Sequence, residues 1–341
     1  MFTQRASAFT RRTSARAALR TGALLAGAGL VVAACGTTSS TSGDGEEAID
    51  SLKIVVPADP GGGWDQTGRA MQSALQEAEL VDNAEVVNVG GAGGTVGLAQ
   101  LANEKDPNTL MVMGYVMVGA IETNQSTATL EDVTPIAKLT EEQLVVVVPE
   151  ESPYETIDDL VADAADRGRG VSIAGGSAGG ADHILAGLIY QAGGVDTGDL
   201  NYIPYSGGGE SVAALLGNKV SAGVSGVQEY AEQIKAGEVR ALAVSGEERV
   251  ESLPDVPTLT EQGVDVVVNN WRGVVAPGDI DEPQAERLTD LVTELHDSAA
   301  WSTALQDNGW ADAFVPGDEF SSFLDDDIVT VRETLEEIGL V

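Results

Sequence analysis

Short runs of apolar, β-branched residues alternate along most of this chain with stretches whose apolar positions repeat at helical spacing. The runs Leu52 to Val56, Glu85 to Val89, Thr109 to Met113, Gln143 to Val148 and Val171 to Ala174 read as strands. So do Leu200 to Pro204, Lys219 to Val224, Val239 to Val244, Val264 to Val268 and Gly273 to Ala276. Between them, Met71, Ala74, Leu75 and Ala78 form one stripe at i, i+3, i+4, i+7, and Ile184, Leu185 and Leu188 form another. Strand and helix in alternation predict an α/β fold with parallel-type sheets flanked by helices. From Glu282 to Val341 the pattern is helical throughout, with Leu288, Leu291, Leu295, Phe320, Phe323, Leu324, Ile328, Val331 and Leu335 on apolar faces. Such a tail is expected to pack back on the first part of the fold.

The N-terminus differs. Arg5, Arg11, Arg12, Arg16 and Arg20 precede an apolar run from Ala23 to Ala34, with no acidic residue before Asp44. This is the layout of a signal peptide, residues 1–34. The run falls well short of the ~20 residues that span a bilayer, and no later stretch is longer than Leu144 to Val148. Arg11-Arg12 leaves both general and twin-arginine export open. The run ends at Val32-Ala33-Ala34-Cys35-Gly36, which resembles a bacterial lipobox and makes Cys35, the only cysteine, a lipidation site. Residues 35–50 then form a solvated tether.

Composition narrows the partners. The formal charge of −36 becomes −41 once the five leader arginines are removed. That excludes nucleic acid, which needs clustered Lys and Arg. Two histidines and one cysteine make a metal site or metal cofactor unexpected, and no other cofactor is implied.

Candidate chemistry lies in glycine-rich loops after strands. In Pro60-Gly61-Gly62-Gly63-Trp64-Asp65, backbone N–H groups at a helix start suit an anion, or the loop is a tight turn with Asp65 as a cap. The loop Gly90 to Gly97, with Gly93, Gly94 and Thr95, fits neither the dinucleotide fingerprint nor a P-loop. A third, Gly175 to His183, holds Ser177 and Ala178 and matches G-x-S-x-G, with His296 downstream. It therefore admits a secreted serine hydrolase as the alternative function. His296, however, falls within an amphipathic helical pattern and reads as a surface residue. Tyr205, Ser206, Ser225 and Gly226 end two further strands, and all these strand ends can converge on one cleft.

Taken in order, the Gly61 to Asp65 and Gly91 to Gly97 loops, Ile203-Pro204-Tyr205-Ser206-Gly207-Gly208-Gly209 and Arg240-Ala241-Leu242-Ala243-Val244 resemble the substrate-binding component of tripartite tricarboxylate transporters. Leu253 to Leu259 and Trp271-Arg272-Gly273-Val274-Val275-Ala276-Pro277 extend the resemblance, which covers roughly Leu52 to the C-terminus. It implies a two-lobed periplasmic-binding-protein fold, with residues 51–149 and 272–341 in a discontinuous first lobe and 150–271 in the second. It further implies a non-enzymatic monomer that grips a small organic carboxylate through Gly61 to Asp65 and Ser177 to His183 and presents it to separate membrane subunits. Arg272 is the cationic candidate for a carboxylate, and His183 a neutral hydrogen-bond donor. Three positions depart from the family pattern: Trp64 for a smaller polar residue, Asp182 before His183, and Ser225 where Asp is common. They leave the identity of the acid open.

Overall fold

The computed structural model describes residues 49–205 and 208–341. The leader, Cys35, most of the tether and Ser206 lie outside the described residues. Among the described residues, no helix is long and apolar enough to cross a membrane.

The first half is built from β1 (Ser51–Val56), α1 (Gly63–Glu77), β2 (Asn83–Asn88), α2 (Thr95–Leu101), β3 (Thr109–Gly114), α3 (Tyr115–Thr123) and β4 (Val133–Pro149). Then come α4 (Ile157–Arg167), β5 (Ser172–Gly175), α5 (Ala181–Ala192), β6 (Asn201–Pro204), α6 (Gly208–Leu216), β7 (Ala222–Gly226), α7 (Val227–Ala236) and β8 (Val239–Val244). The chain closes with β9 (Asn269–Pro277), α8 (Glu282–Asp297), α9 (Ala299–Asn308), β10 (Ala311–Pro316) and α10 (Gly317–Glu337).

The strands run in the order β2-β1-β3-β9-β4-β7-β5-β6, with β8 and β10 also paired to β4. Parallel pairs form both ends, β2-β1-β3 and β7-β5-β6. The long strands β4 and β9 join them antiparallel. β4 pairs with β9 as far as Gln143↔Asn269 and from Leu144 pairs with β7 instead. Two of the three cores among the described residues show the effect of that exchange. One packs Ile54, Val56, Val112 and Val275 against Leu288, Trp301, Phe320 and Leu335 of the C-terminal helices. The other packs Val146, Val148, Ile173 and Val224 against Leu160, Leu185 and Ile189. The C-terminal helices thus return to the first part of the fold.

Three expectations change. Val264 to Val268 forms no strand, since Val266 N–H turns back to Val264 O at 2.8 Å, and β9 begins at Asn269. The strand expected over Lys219 to Val224 is displaced to Ala222–Gly226. The C-terminal third is not all helix, because β10 pairs antiparallel with the first half of β4, which periodicity also missed. In that half Pro135, Lys138, Glu141 and Glu142 interrupt the alternation. The register shifts between Pro135 and Ala137 and between Lys138 and Thr140 absorb the interruption.

Candidate functional site

Helix starts at the cavity differ from several of those away from it. Away from the central cavity, α4 and α8 begin with capping boxes, Thr156 with Asp159 and Asp281 with Gln284. At the cavity, α1, α3, α5 and α7 begin after Gly62, Gly114, Gly180 and Gly226, none of which supplies a side-chain cap. Their first-turn N–H groups lack intrahelical acceptors, and the partial positive ends of these helices meet at the cavity wall.

The cavity, of ≈ 140 Å³, is lined from the first half by Gly62, Gly63, Trp64, Gly93 and Gly94, and from the second by Ser177, Tyr205, Ser225 and Gly226, with Arg272 between. Ten of the expected site residues therefore meet there. A Cβ at Gly94, where φ is +92°, would stand 2.8 Å from the Trp64 ring, so glycine is required for the indole to lie against this loop.

Arg272 is 3% exposed and bonds Glu142 across β9 and β4. Its guanidinium also lies 5.3 Å from the Trp310 ring. A Cβ at Gly63 would sit 2.3 Å from Arg272 Nη2, so α1 approaches the guanidinium as closely as glycine allows. Asn270 faces Glu142 directly and donates to its Oε1 at 3.2 Å. Arg272 Nη1 and Asn270 Oδ1 are buried without a partner.

Four acidic side chains also line the cavity, Asp59, Glu142, Asp182 and Glu229, of which the sequence singled out only Asp182, as a departure within the Ser177 to His183 grip. Asp182 accepts from the Gly176 N–H at 2.6 Å, and Ser225 Oγ donates to Glu229. Burial, reinforced by the charges of Glu229 and Glu142, pushes Asp182 up to about 8. Burial pushes Glu142 up as well, against the pull of Arg272. Glu229 lies in the first turn of α7, where acidic residues ordinarily complement the dipole, so no sequence signal set it apart.

Four expected residues do not line the cavity. Asp65 is a loop anchor: it accepts from Gly61 N–H at 3.0 Å, Arg69 Nε at 2.9 Å and Asn88 Nδ2 at 2.9 Å. Burial raises its pKa, but these donors outweigh that and hold it below the ordinary value. Thr95 donates to Ala92 O within its own loop, and Ala178 is exposed. His183 stands behind the loop, where Nδ1 accepts from Gly179 N–H at 3.1 Å and the ring stacks on Tyr202 at 4.0 Å. Desolvation lowers its pKa to about 4. His296 belongs to α8, with Nδ1 against Asp297 and Nε2 against Asp312, and it is absent from the cavity wall that holds Ser177.

An α/β chain of two sheets joined by two long strands, with helix N-termini turned to a central cavity, has the two-lobed architecture of a periplasmic binding protein. The model of the tripartite tricarboxylate transporter family receptor matches residues 68–340, and the chain belongs to that family. Protein BugT of Bordetella pertussis is 30% identical over 93% of this chain and 97% of its own length. MatC from Rhodopseudomonas palustris, solved with bound malate, superposes with a TM-score of 0.74 at 24% identity, covering 84% of this chain and 98% of MatC. A second R. palustris protein, solved with adipate, gives 0.76 at 21% identity over 85% and 97%. Family and fold are those of solute-binding receptors.

Proposed function

We propose that this protein is an exported, lipid-anchored receptor, without enzymatic activity or cofactor, that captures a small organic carboxylate and delivers it to separate membrane subunits. It acts as a monomer, tethered through Cys35 to the outer face of the membrane. Lobe 1 holds the strands before Leu144 and the C-terminal helices, and lobe 2 holds the chain between, so both lobes contribute to one ligand's environment. The observation that carries the reading is the set of four uncapped, glycine-started helices at a cavity that also contains the buried, half-partnered guanidinium of Arg272. Donors of this kind act at full strength at contact distance. The protein's overall negative charge is screened beyond ~8–10 Å in physiological salt. The malate and adipate held by the two R. palustris proteins support the same ligand class.

Closure requires a ligand that binds the closed form better than the open one, which contacts from both lobes supply. Calorimetric titration of the intact chain with malate, succinate, adipate, citrate and amino-substituted acids tests the reading. Saturable binding of one of them, lost in Arg272→Met, is the expected result. Heats indistinguishable from dilution for every acid at millimolar concentration would refute it.

A further inference from the structure

The face of β9 turned away from the cavity is held by one helix. Asn270 and Arg272 line the cavity, so the alternation of a strand turns Trp271 and Gly273 to the opposite side. There α10 presents Phe320, Phe323 and Asp327. The two phenylalanine rings meet the Trp271 indole edge-on, at 5.9 Å and 5.2 Å, both with an interplanar angle of 84°. A Cβ at Gly273 would stand 2.9 Å from Phe320 Cζ, so that ring rests on the strand itself. Asp327 Oδ2 accepts from Trp271 Nε1 at 3.1 Å, a bond between helix and strand across 56 residues of chain.

Asp327 breaks the pattern of its helix. Phe320, Leu324, Val331 and Leu335 bury one side of α10, and Asp327 follows Leu324 by three positions and precedes Val331 by four, on the same side. A leucine there would bury more apolar surface and desolvate no carboxylate. What the carboxylate adds is direction. Edge-on aromatic contacts tolerate a broad range of ring settings, whereas a hydrogen bond to the indole N–H fixes the ring's rotation as well. Trp271 shares its two peptide groups with Asn270 and Arg272, so the setting of its side chain carries into the segment from which both of them project. The other charged and titratable groups around Asp327 come from β4 and α3. They are Lys138, which lies 4.3 Å over the Phe323 ring and pairs with Glu141, and Tyr115.

We infer that Asp327 is a positioning residue for the binding face of β9: by fixing the Trp271 indole it sets the direction in which Arg272 and Asn270 meet a ligand. It is absent from the cavity wall and acts through its neighbours alone. Burial pushes Asp327 up to about 6, against the pull of the Trp271 N–H and of Lys138. Ionised, it is the stronger acceptor, so protonation loosens the clamp as pH falls through about 6. A pure field effect has the opposite sign, since neutralising a carboxylate behind the site favours an anionic ligand.

The inference rests on the carboxylate-receptor reading for its consequence, while the coupling itself is read without ligand. Nitrogen NMR of the labelled intact chain follows the Trp271 Nε1–H and Arg272 Nε–H signals from pH 5 to pH 7.5, with Trp271→Phe and Arg272→Lys for assignment. Both are expected to shift with one midpoint near 6. In Asp327→Asn, which keeps an acceptor for the indole and should melt within a few degrees of the unaltered chain, the Arg272 signal should stay still. Calorimetric titration with malate, succinate, adipate and citrate then reads the consequence. For an acid that binds, Asp327→Asn is expected to weaken it about fivefold at pH 7.5 and to come level with the unaltered chain at pH 5. Asp182 and His183 titrate in both proteins, so the comparison cancels them. An Arg272 signal indifferent to pH and to the variant, or tighter binding by Asp327→Asn at pH 7.5, would overturn the inference and leave the receptor standing. If no acid binds, the receptor reading falls, and the Arg272 signal alone decides whether Asp327 positions it.

Discussion

Arg272 and Glu142 form an ion pair sealed from solvent, with side chains 4% and 7% exposed. Breaking one side of such a pair strands the other charge in a low dielectric. Arg272→Met is therefore expected to cost about 3–5 kcal/mol of folding stability. Adding Glu142→Leu should return most of that loss without restoring ligand binding. Urea denaturation of the two variants checks it, and a double variant as unstable as the single one would contradict the pairing.

Adjacent glycines of one loop are expected to behave oppositely. Gly62→Ala places its Cβ in open space with φ at −89°, and should leave stability and binding within about twofold. Gly63→Ala drives its Cβ into the Arg272 guanidinium, which Glu142 and Trp310 hold in place. Binding should fall by at least about tenfold, since misplacing a donor by an ångström forfeits its contact. Parallel titrations decide the matter.

Asp182 keeps a proton in the folded protein up to about pH 8, whereas its unfolded counterpart loses it near 3.8. Over that window the folded state binds more protons, so the contribution of Asp182 to stability declines as pH rises. The slope approaches about 1.4 kcal/mol per pH unit. Asp182→Asn removes the slope and retains an acceptor for Gly176 N–H. The variant's advantage in melting temperature should therefore grow from pH 4 to pH 8.

His183 reverses the sign. Its pKa falls from 6.5 to about 4, so its contribution to stability is intact above pH 6.5 and is lost as pH drops toward 4. Because Nδ1 accepts a hydrogen bond, the neutral ring carries its proton on Nε2. Nitrogen NMR of labelled protein, with His296→Asn for assignment, should show this single tautomer at pH 6.

Much of the site was legible because glycine at a strand end has few alternative purposes. Gly62, Gly63, Gly93, Gly94 and Gly226 all reach the cavity. The sequence did not show which way acidic residues turn: Asp65, Asp182 and Glu229 each occupy a first helical turn, yet Asp65 faces away to anchor its loop and the other two face inward. Which way such a side chain turns depends on partners distant in sequence, as Asn88 is for Asp65. The first half of β4 escaped detection for a related reason. It spends its side chains on neighbours such as β10 and α10, so no single buried face imposes period two.

The exchange of partners by β4 after Gln143 falls one residue from Glu142, and β9 begins one residue before Asn270. If the lobes swing about these two strands, the polar groups that touch a ligand sit at the fulcrum. Displacements there are small, while the far rims of the lobes travel furthest. A difference of a single charged substituent on the ligand would thus be magnified into a change of outer contour, which is the part of the molecule a membrane partner can feel.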